Sequence, residues 1–249
     1  MSKNPDLRIV KLHTTESTNS YLKNLNKTQS LDKNTLVWAL EQTNGRGQMG
    51  TTWLTEAGKN LTFSVFRKVS QLSLDQQFYV TMAASLAVKN VLEKLLIKNV
   101  SVKWPNDIMS GKDKICGILI ESVIKKGHLD AVIIGVGLNV NQTNFKNPLR
   151  ATSIKNLTGI HFDLEEILKM LVDEFFIYTK MIVDGLLQQI KQDYENHLFR
   201  RFKPTTFIKK SDNRFVGIIQ GVTDQGKLVV LEEDEVLNNY DLKELKLLF

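Results

Sequence analysis

The sequence predicts a mixed α+β protein, with a larger domain over residues 1–203 and a small all-β module over residues 204–249. Three observations predict it. Apolar runs of strand length recur through the first part of the chain, either alternating with polar residues or nearly continuous. Between them lie stretches whose apolar residues recur every four positions, the spacing of one helix face. After Pro204 the pattern changes to short β-prone segments separated by turn residues.

In chain order, "TLVWALEQ" (Thr35–Gln42) is apolar and β-prone and reads as the first convincing core strand. The loop "NGRGQMG" follows, with three glycines that permit close backbone approach to a ligand. "NLTFSVFRK" (Asn60–Lys68) turns Leu61, Phe63 and Val65 to one side, as a strand does. Ser73 then opens a helix, with Gln76 completing a capping box and Leu74, Phe78, Met82 and Leu86 forming its apolar stripe. "SVKW" is a short strand that Pro105 ends. "KICGILIESVI" (Lys114–Ile124) and "LDAVIIGVGLNVN" (Leu129–Asn141) read as neighbouring strands buried on both faces, joined at a turn that contains Gly127. Asp163 caps a helix in which Ile167/Leu168, Leu171/Val172 and Phe175/Phe176 repeat every four residues. A second helix is expected over Val183–Arg200. "TTFIKK", "RFVGIIQGV", "KLVVLE" and "EVLNNYDL" are the strands of the final module, and "TDQG" is a turn within it.

Composition bounds the class. The 249 residues are 42% apolar and 24% charged, which suits a globular domain with a substantial core. The first ten residues lack the apolar stretch of a leader peptide, and no run is long enough to span a bilayer. A single cysteine, Cys116, excludes an intrachain disulfide and a cysteine-held zinc. The expected compartment is the cytoplasm. The net charge of +6 comes from scattered lysines with no dense basic run, so no nucleic-acid partner and no membrane partner is expected. About 35 residues precede the first convincing strand, too few for a helix-turn-helix domain. His13, His128, His161 and His197 show no metal-ligand spacing, and neither a G-x-S-x-G motif nor a P-loop is present.

Four segments do not read as packing sequence alone: "ESTN" (Glu16–Asn19), "EQTNGRGQMGTTW" (Glu41–Trp53), "KWPNDIMSGKDKICGILIE" (Lys103–Glu121) and "IGVGLNVN" (Ile134–Asn141). One glycine-rich loop would be weak evidence. Four motifs in this order and spacing are specific, and together they resemble the biotin protein ligases. The resemblance covers residues 14–141 by motif and the whole chain by layout. It implies a largely antiparallel mixed sheet flanked by helices, of the class II synthetase-like kind, and a C-terminal SH3-like β-barrel. The implied reaction joins biotin to ATP as biotinoyl-5′-AMP, releasing pyrophosphate. Biotin is then transferred to a lysine of a biotin carboxyl carrier protein. ATP with Mg2+ is the implied cosubstrate, and the implied assembly leaves a homodimer open.

The resemblance also distributes roles. Lys114 would lie on the biotin carboxylate and α-phosphate, although a strand-end lysine is ordinarily just solvated. Lys103 would neutralise phosphate or pair with a nearby carboxylate. Asp107 would orient the incoming amine, accept its proton or lie near Mg2+, and it equally suits an Asx turn. Asn106 belongs to the same turn and to the ATP site. Trp104 reads as packing. Arg46 offers a planar fork for phosphate or carboxylate. Gly45 and Gly47 would permit backbone conformations closed to other residues, and Gln48 lies with Gly47 and Arg46 on ATP. Trp53 would stack on adenine or else anchor the next strand. Ser17, Thr18, Asn19 and Gln42 would bind the ureido ring, although Ser-Thr-Asn also suits a helix cap. Gly117 and Gly137 would let backbone approach biotin, and Asn139 would read the adenine edge.

One departure is visible. Many relatives read GRGRxxR, and here Gln48 and Thr51 hold the fourth and seventh positions. The expectation is retained activity with weaker retention of the adenylate. A lipoate–protein ligase or octanoyl transferase of the same fold is the alternative enzyme. Cys116, expected to be buried and inert, argues against the transferase. A biotin-sensing repressor or an inactive relative is the non-enzymatic alternative, and the sequence offers no DNA-binding domain for the former.

Overall fold

The computed structural model describes residues 7–145 and 150–249. Of the opening ten residues read as lacking a leader, residues 1–6 lie outside the described ones. The strands and helices are β1 (Arg8–Thr15), α1 (Thr18–Gln29), β2 (Thr35–Gln42), β3 (Leu61–Lys68), α2 (Phe78–Lys94), β4 (Val100–Lys103), β5 (Asp107–Ser110), β6 (Asp113–Lys125), β7 (His128–Leu138), α3 (Ile154–Thr158), α4 (Leu164–Val183), α5 (Leu187–Asn196), β8 (Pro204–Lys209), β9 (Arg214–Val222), β10 (Leu228–Glu232), β11 (Leu237–Tyr240) and β12 (Leu245–Leu248). The fold is mixed α+β, and its large sheet is mostly antiparallel. Seven strands run in the order β1-β2-β3-β7-β6-β5-β4, and only β1–β2 is parallel. A second, antiparallel sheet has the order β11-β10-β9-β8-β12.

Strand alternation divides the large sheet into two unlike faces. Leu36 and Trp38, Leu61 and Phe63, and Val132, Ile134, Val136 and Leu138 join the main core with α2, α4 and α5. The opposite face carries a smaller cluster of Leu22, Leu31, Val37, Phe66, Ala131 and Ile133, covered by α1. Buried Glu174 of α4 ties the two core helices together, taking Lys94 of α2 at 2.5 Å and Asn90 at 3.2 Å. Phe207, Ile219, Leu228, Val230 and Leu245 of the second sheet join the same main core, so the two sheets share one hydrophobic interior.

Several expectations hold. The Ser73–Gln76 capping box is present. Asp163 caps α4 by accepting from Glu165 N at 2.6 Å and Glu166 N at 3.2 Å. The β6–β7 hairpin turns at Lys126 and Gly127, both with positive φ. Other expectations need correction. The capping box closes only a single tight turn, Leu74–Gln76, and α2 begins at Phe78, leaving Leu74 exposed. The helix expected over Val183–Arg200 is α5 alone. Gly185 (φ 76°) breaks the chain after α4, and residues 197–199 instead cover the edge of β4 through Val102 N→His197 O and Phe199 N→Val102 O, each 2.8 Å. Only the first part of β6 is buried on both faces, and beyond Ile118 its side chains are partly or fully exposed. The residues before Thr35 form β1 and α1. β1 is a polar edge strand, so its sequence carries little apolar signal.

Candidate active site

An open cleft of about 1180 Å³ lies on the α1 side of the large sheet and reaches the second sheet. That volume exceeds the roughly 300–1000 Å³ of a pocket for one small molecule. Its floor follows from strand parity. Core residues of β6 and β7 point to one face, which leaves Gly117, Leu119, Gly135 and Gly137 on the other. Gly117 and Gly137 are paired across β6–β7, so the sheet carries no side chains at that spot.

The cationic corner is built by two neighbouring hairpins. Lys103 and Asp107 are direct partners across β4–β5, bridged by Trp104-Pro105-Asn106 with a cis Trp104–Pro105 peptide. Their charged groups stand 3.9 Å apart. Lys114 reaches the same carboxylate, at 2.5 Å. By simple alternation Lys114 would share the core face with Cys116 and Ile118. A β-bulge prevents this: β6 pairs Cys116 with Ile108 but Lys114 with Met109, leaving Ile115 as the extra residue. Ile115 and Cys116 are then both in the core, and Lys114 faces the glycine floor, as bulges beside sites commonly re-aim side chains. Its main chain is fixed by Lys114 N→Arg150 O and Thr152 N→Lys114 O, each 3.0 Å. Burial pushes the Lys103 ammonium below its ordinary pKa. Asp107 pulls the other way, and Lys114 and Lys246 lower it further. Two lysines on one carboxylate, with Lys246 adding to the positive field at Lys103, form a site that gains when an anion enters.

The glycine-rich loop folds back on itself through Trp53 N→Gly45 O (2.9 Å) and Gly47 N→Thr51 O (2.6 Å). Neither Gly45 nor Gly47 has a positive φ, contrary to expectation. They are needed for close approach, since a Cβ at Gly45 would overlap Trp53 O and one at Gly47 would overlap the Thr51 hydroxyl. Thr51 also bonds back to Gln48 O at 2.8 Å and so fastens the turn. Gln48, Arg46 and Gly47 line the cleft, whereas Gly45 lies behind it. The Arg46 guanidinium rests on Glu121 at 2.8 Å. The Trp53 indole lies directly on Gly117 and Gly137, where a Cβ would crowd or overlap it. Lys114 Nζ stands 5.3 Å from its ring centre. Its Nε1 is buried without a partner. The group that approaches the two glycines is therefore this indole.

At the other end of the floor is a polar pocket. Gln42 Oε1 accepts from Thr18 N (2.8 Å) and Thr18 Oγ1 (3.1 Å), which leaves its Nε2 as a donor. Ser64 Oγ is hydrogen-bonded to Thr18 Oγ1 at 2.7 Å and Asn19 Oδ1 at 2.6 Å. Asn19 Nδ2 donates to Glu121 Oε2 at 2.8 Å. Ser17 is the N-cap residue of α1 by backbone, yet its side chain makes no cap hydrogen bond. It lines the cleft instead. Ser64, Glu121 and Lys23, which stands 3.6 Å from Glu121, were not among the residues picked out by sequence. Thr62 and Ser64 alternate with the apolar Leu61, Phe63 and Val65, and buried polar residues in that phase are the available signal.

Asn106 and Asn139 line the cleft and also brace it. Asn106 Nδ2 donates to Ile118 O at 2.5 Å, and Asn139 Nδ2 donates to Thr152 O at 3.0 Å. Trp104 packs against the core, as read. Cys116 is fully buried, and burial pushes its thiol well above the ordinary value. Among the described residues no helix is long and apolar enough to cross a membrane, and no group of three or more His, Cys, Asp or Glu is placed to hold a metal ion.

The family model "Biotin/lipoate A/B protein ligase family" matches residues 12–139. The bifunctional ligase/repressor BirA of Bacillus spizizenii is 26% identical over 83% of this chain and 64% of its own length, so the chain spans less than two thirds of that relative. The biotin–[acetyl-CoA-carboxylase] ligase of Paracoccus denitrificans is 26% identical over 88% of this chain and 92% of its own length. Among solved structures, a biotin protein ligase from Aquifex aeolicus in complex with biotin and ATP superposes with a TM-score of 0.80 at 25% identity, covering 96% of this chain and 98% of that one. A family match over half the chain, on the segments that build the cleft, shows that this chain belongs to the biotin/lipoate A/B protein ligase family.

Proposed function

We propose that the chain activates biotin with ATP and transfers it to a lysine of a biotin carboxyl carrier protein in the cytoplasm. The observation that carries this is the placement of the Lys103/Asp107/Lys114 corner on the same glycine-floored face as the Thr18/Gln42/Ser64 pocket. A ureido ring has two N–H donors and one carbonyl acceptor, which hydroxyls and an amide can satisfy. The dithiolane of lipoate and the alkyl chain of octanoate offer no such groups and would leave buried polar atoms unpaired. The inert environment of Cys116 removes the thiol an octanoyl transferase would use.

In the first step a biotin carboxylate oxygen bonds to the α-phosphorus of ATP, and pyrophosphate leaves with the electron pair of the broken P–O bond. Two anions must meet, so point charges from Lys114 and Lys103 lower the barrier, and Arg46 adds a forked donor once released from Glu121. A magnesium ion bound with the nucleotide would offset its phosphate charge, and Asp107, the carboxylate of the corner, would be the residue to lie near it. In the second step a carrier amine attacks the acyl carbon and AMP leaves. A free lysine, with pKa about 10.4, must shed its proton, and Asp107 is the positioned acceptor. Trp53 and Asn139 form the adenine end, with Gln48, Gly47 and Asn106 beside the phosphates. Ser17 and Asn19 complete the biotin end, Gly117 and Gly137 seat the Trp53 indole, and Gly45 shapes the loop behind the cleft. We read residues 1–203 as a class II synthetase-like catalytic domain and residues 204–249 as an SH3-like barrel. The test is ATP–pyrophosphate exchange with biotin, lipoate or octanoate as the acid. Exchange with biotin alone is expected. Exchange with lipoate and none with biotin would overturn the assignment.

A further inference from the structure

The corner that carries Lys103 and Asp107 is held from outside its own hairpin. Trp104 Nε1 donates to Gly226 O, 2.8 Å away, in the turn between β9 and β10. On the other side, Tyr194 OH of α5 donates to Pro105 O at 3.1 Å. Gly226 has φ 87°, and a Cβ there would overlap the Phe78 ring, so its carbonyl comes this close only because the residue is glycine. Two residues earlier, Asp224 takes an ion pair from Lys191 of α5 at 2.7 Å. The turn is thus pinned to both helices that flank the corner.

We propose that this barrel turn is a positioning element for the adenylation site: Asp224 anchors the turn, and Gly226 orients Trp104 and with it the Lys103–Asp107 hairpin relative to Lys114. The inference rests on the biotin-activation reading and gives the second sheet a role that requires no contact with substrate. Small displacements at such a site are costly, since about 1 Å of misplacement can lower a rate ~100-fold.

Two measurements on the full chain test it. The first needs no substrate. Of the three tryptophans, Trp38 and Trp53 have buried indole N–H groups without partners, and Trp104 has an acceptor. In 15N-tryptophan spectra, assigned with Trp104→Phe, the Trp104 indole signal should be the most downfield of the three. Asp224→Asn should move it upfield. An unchanged signal would overturn the proposal. The second is biotin-dependent pyrophosphate exchange. Trp104→Phe should lower kcat at least ~10-fold with KM for biotin within about twofold. Glu232→Gln disturbs a polar cluster elsewhere in the barrel, with Lys209, Asn238 and Tyr240. It should leave kcat unchanged even where it lowers Tm as much. An equal kcat loss in Glu232→Gln would show a merely structural effect and overturn the proposal. Absence of wild-type exchange with biotin would instead refute the functional reading, and the indole signal would still decide the positioning claim.

Discussion

Ser64→Ala is the sharpest probe of the polar pocket. The Ser64 hydroxyl is fully buried between Thr18 Oγ1 and Asn19 Oδ1, at 2.7 and 2.6 Å. Removing it deletes the hydrogen bonds and leaves Asn19 Oδ1 against Gly135, where even a Cβ would not fit. A lost net hydrogen bond costs about 1 kcal/mol and a stranded buried acceptor about 1–3 kcal/mol. Taken together these give a total of about 2 kcal/mol. For a chain of this size that lowers Tm by about 4–8 °C. The loosened Thr18 and Asn19 should also weaken biotin binding ~10-fold, equivalent to about 1.4 kcal/mol, with ATP binding unchanged. Differential scanning fluorimetry and calorimetric titration with biotin and then ATP read both effects. A melting point within about 1 °C of wild type, far less than the expected shift, together with unchanged biotin affinity would refute the network as described. A loss of ATP affinity equal to that for biotin would refute the division of the cleft.

Three further outcomes are expected. Gly137→Ala places a methyl group in the Trp53 indole, so adenylation should fall while far-UV circular dichroism stays native; unchanged activity would mean that Trp53 stands elsewhere during turnover. Gln48→Arg with Thr51→Arg should slow release of biotinoyl-AMP in a filter-binding chase, and a wild-type off-rate already as slow as the double variant's would contradict the expected weak retention. Lys191 holds the Asp224 carboxyl below its ordinary pKa. Its contribution is therefore present above the unfolded value of about 3.9 and lost as pH falls through the lower folded value. Asp224 is about half exposed, so this is worth under about 1 kcal/mol. The Tm gap between wild type and Asp224→Asn should be present at neutral pH and close in the acid range below about pH 4. A gap that stays constant would contradict the ion pair's role.

The fold was legible where burial is two-sided or one-sided and regular. β7 is a continuous apolar run because the core helices cover one face and α1 and the loops cover the other. β3 alternates over Leu61–Val65 because Leu61, Phe63 and Val65 face the main core while Thr62 and Ser64 face the other way. β1 was missed because an edge strand with polar side chains satisfies neither pattern. β5 was missed because Asp107–Ser110 is only four residues long and follows a proline corner. The cationic corner was legible as a motif, with Lys103, Asp107 and Lys114 close in sequence. Its geometry was not, because the bulge at Ile115 decides which face Lys114 takes, and local sequence does not reveal register. Ser64 and Glu121 escaped notice because their partners, Thr18, Asn19 and Arg46, lie between 45 and 102 residues away along the chain.

The central claim is that the β-bulge delivers Lys114 to the place where two anions are joined. Biotin-dependent ATP–pyrophosphate exchange in wild type and Lys114→Ala tests it most directly. Loss of exchange in the variant by ~100-fold or more, a range expected for removing a transition-state charge contact, with thermal stability and biotin binding retained, is the predicted result. Exchange in Lys114→Ala at a rate close to wild type would contradict the claim and leave Lys114 as a solvated lysine at a strand end.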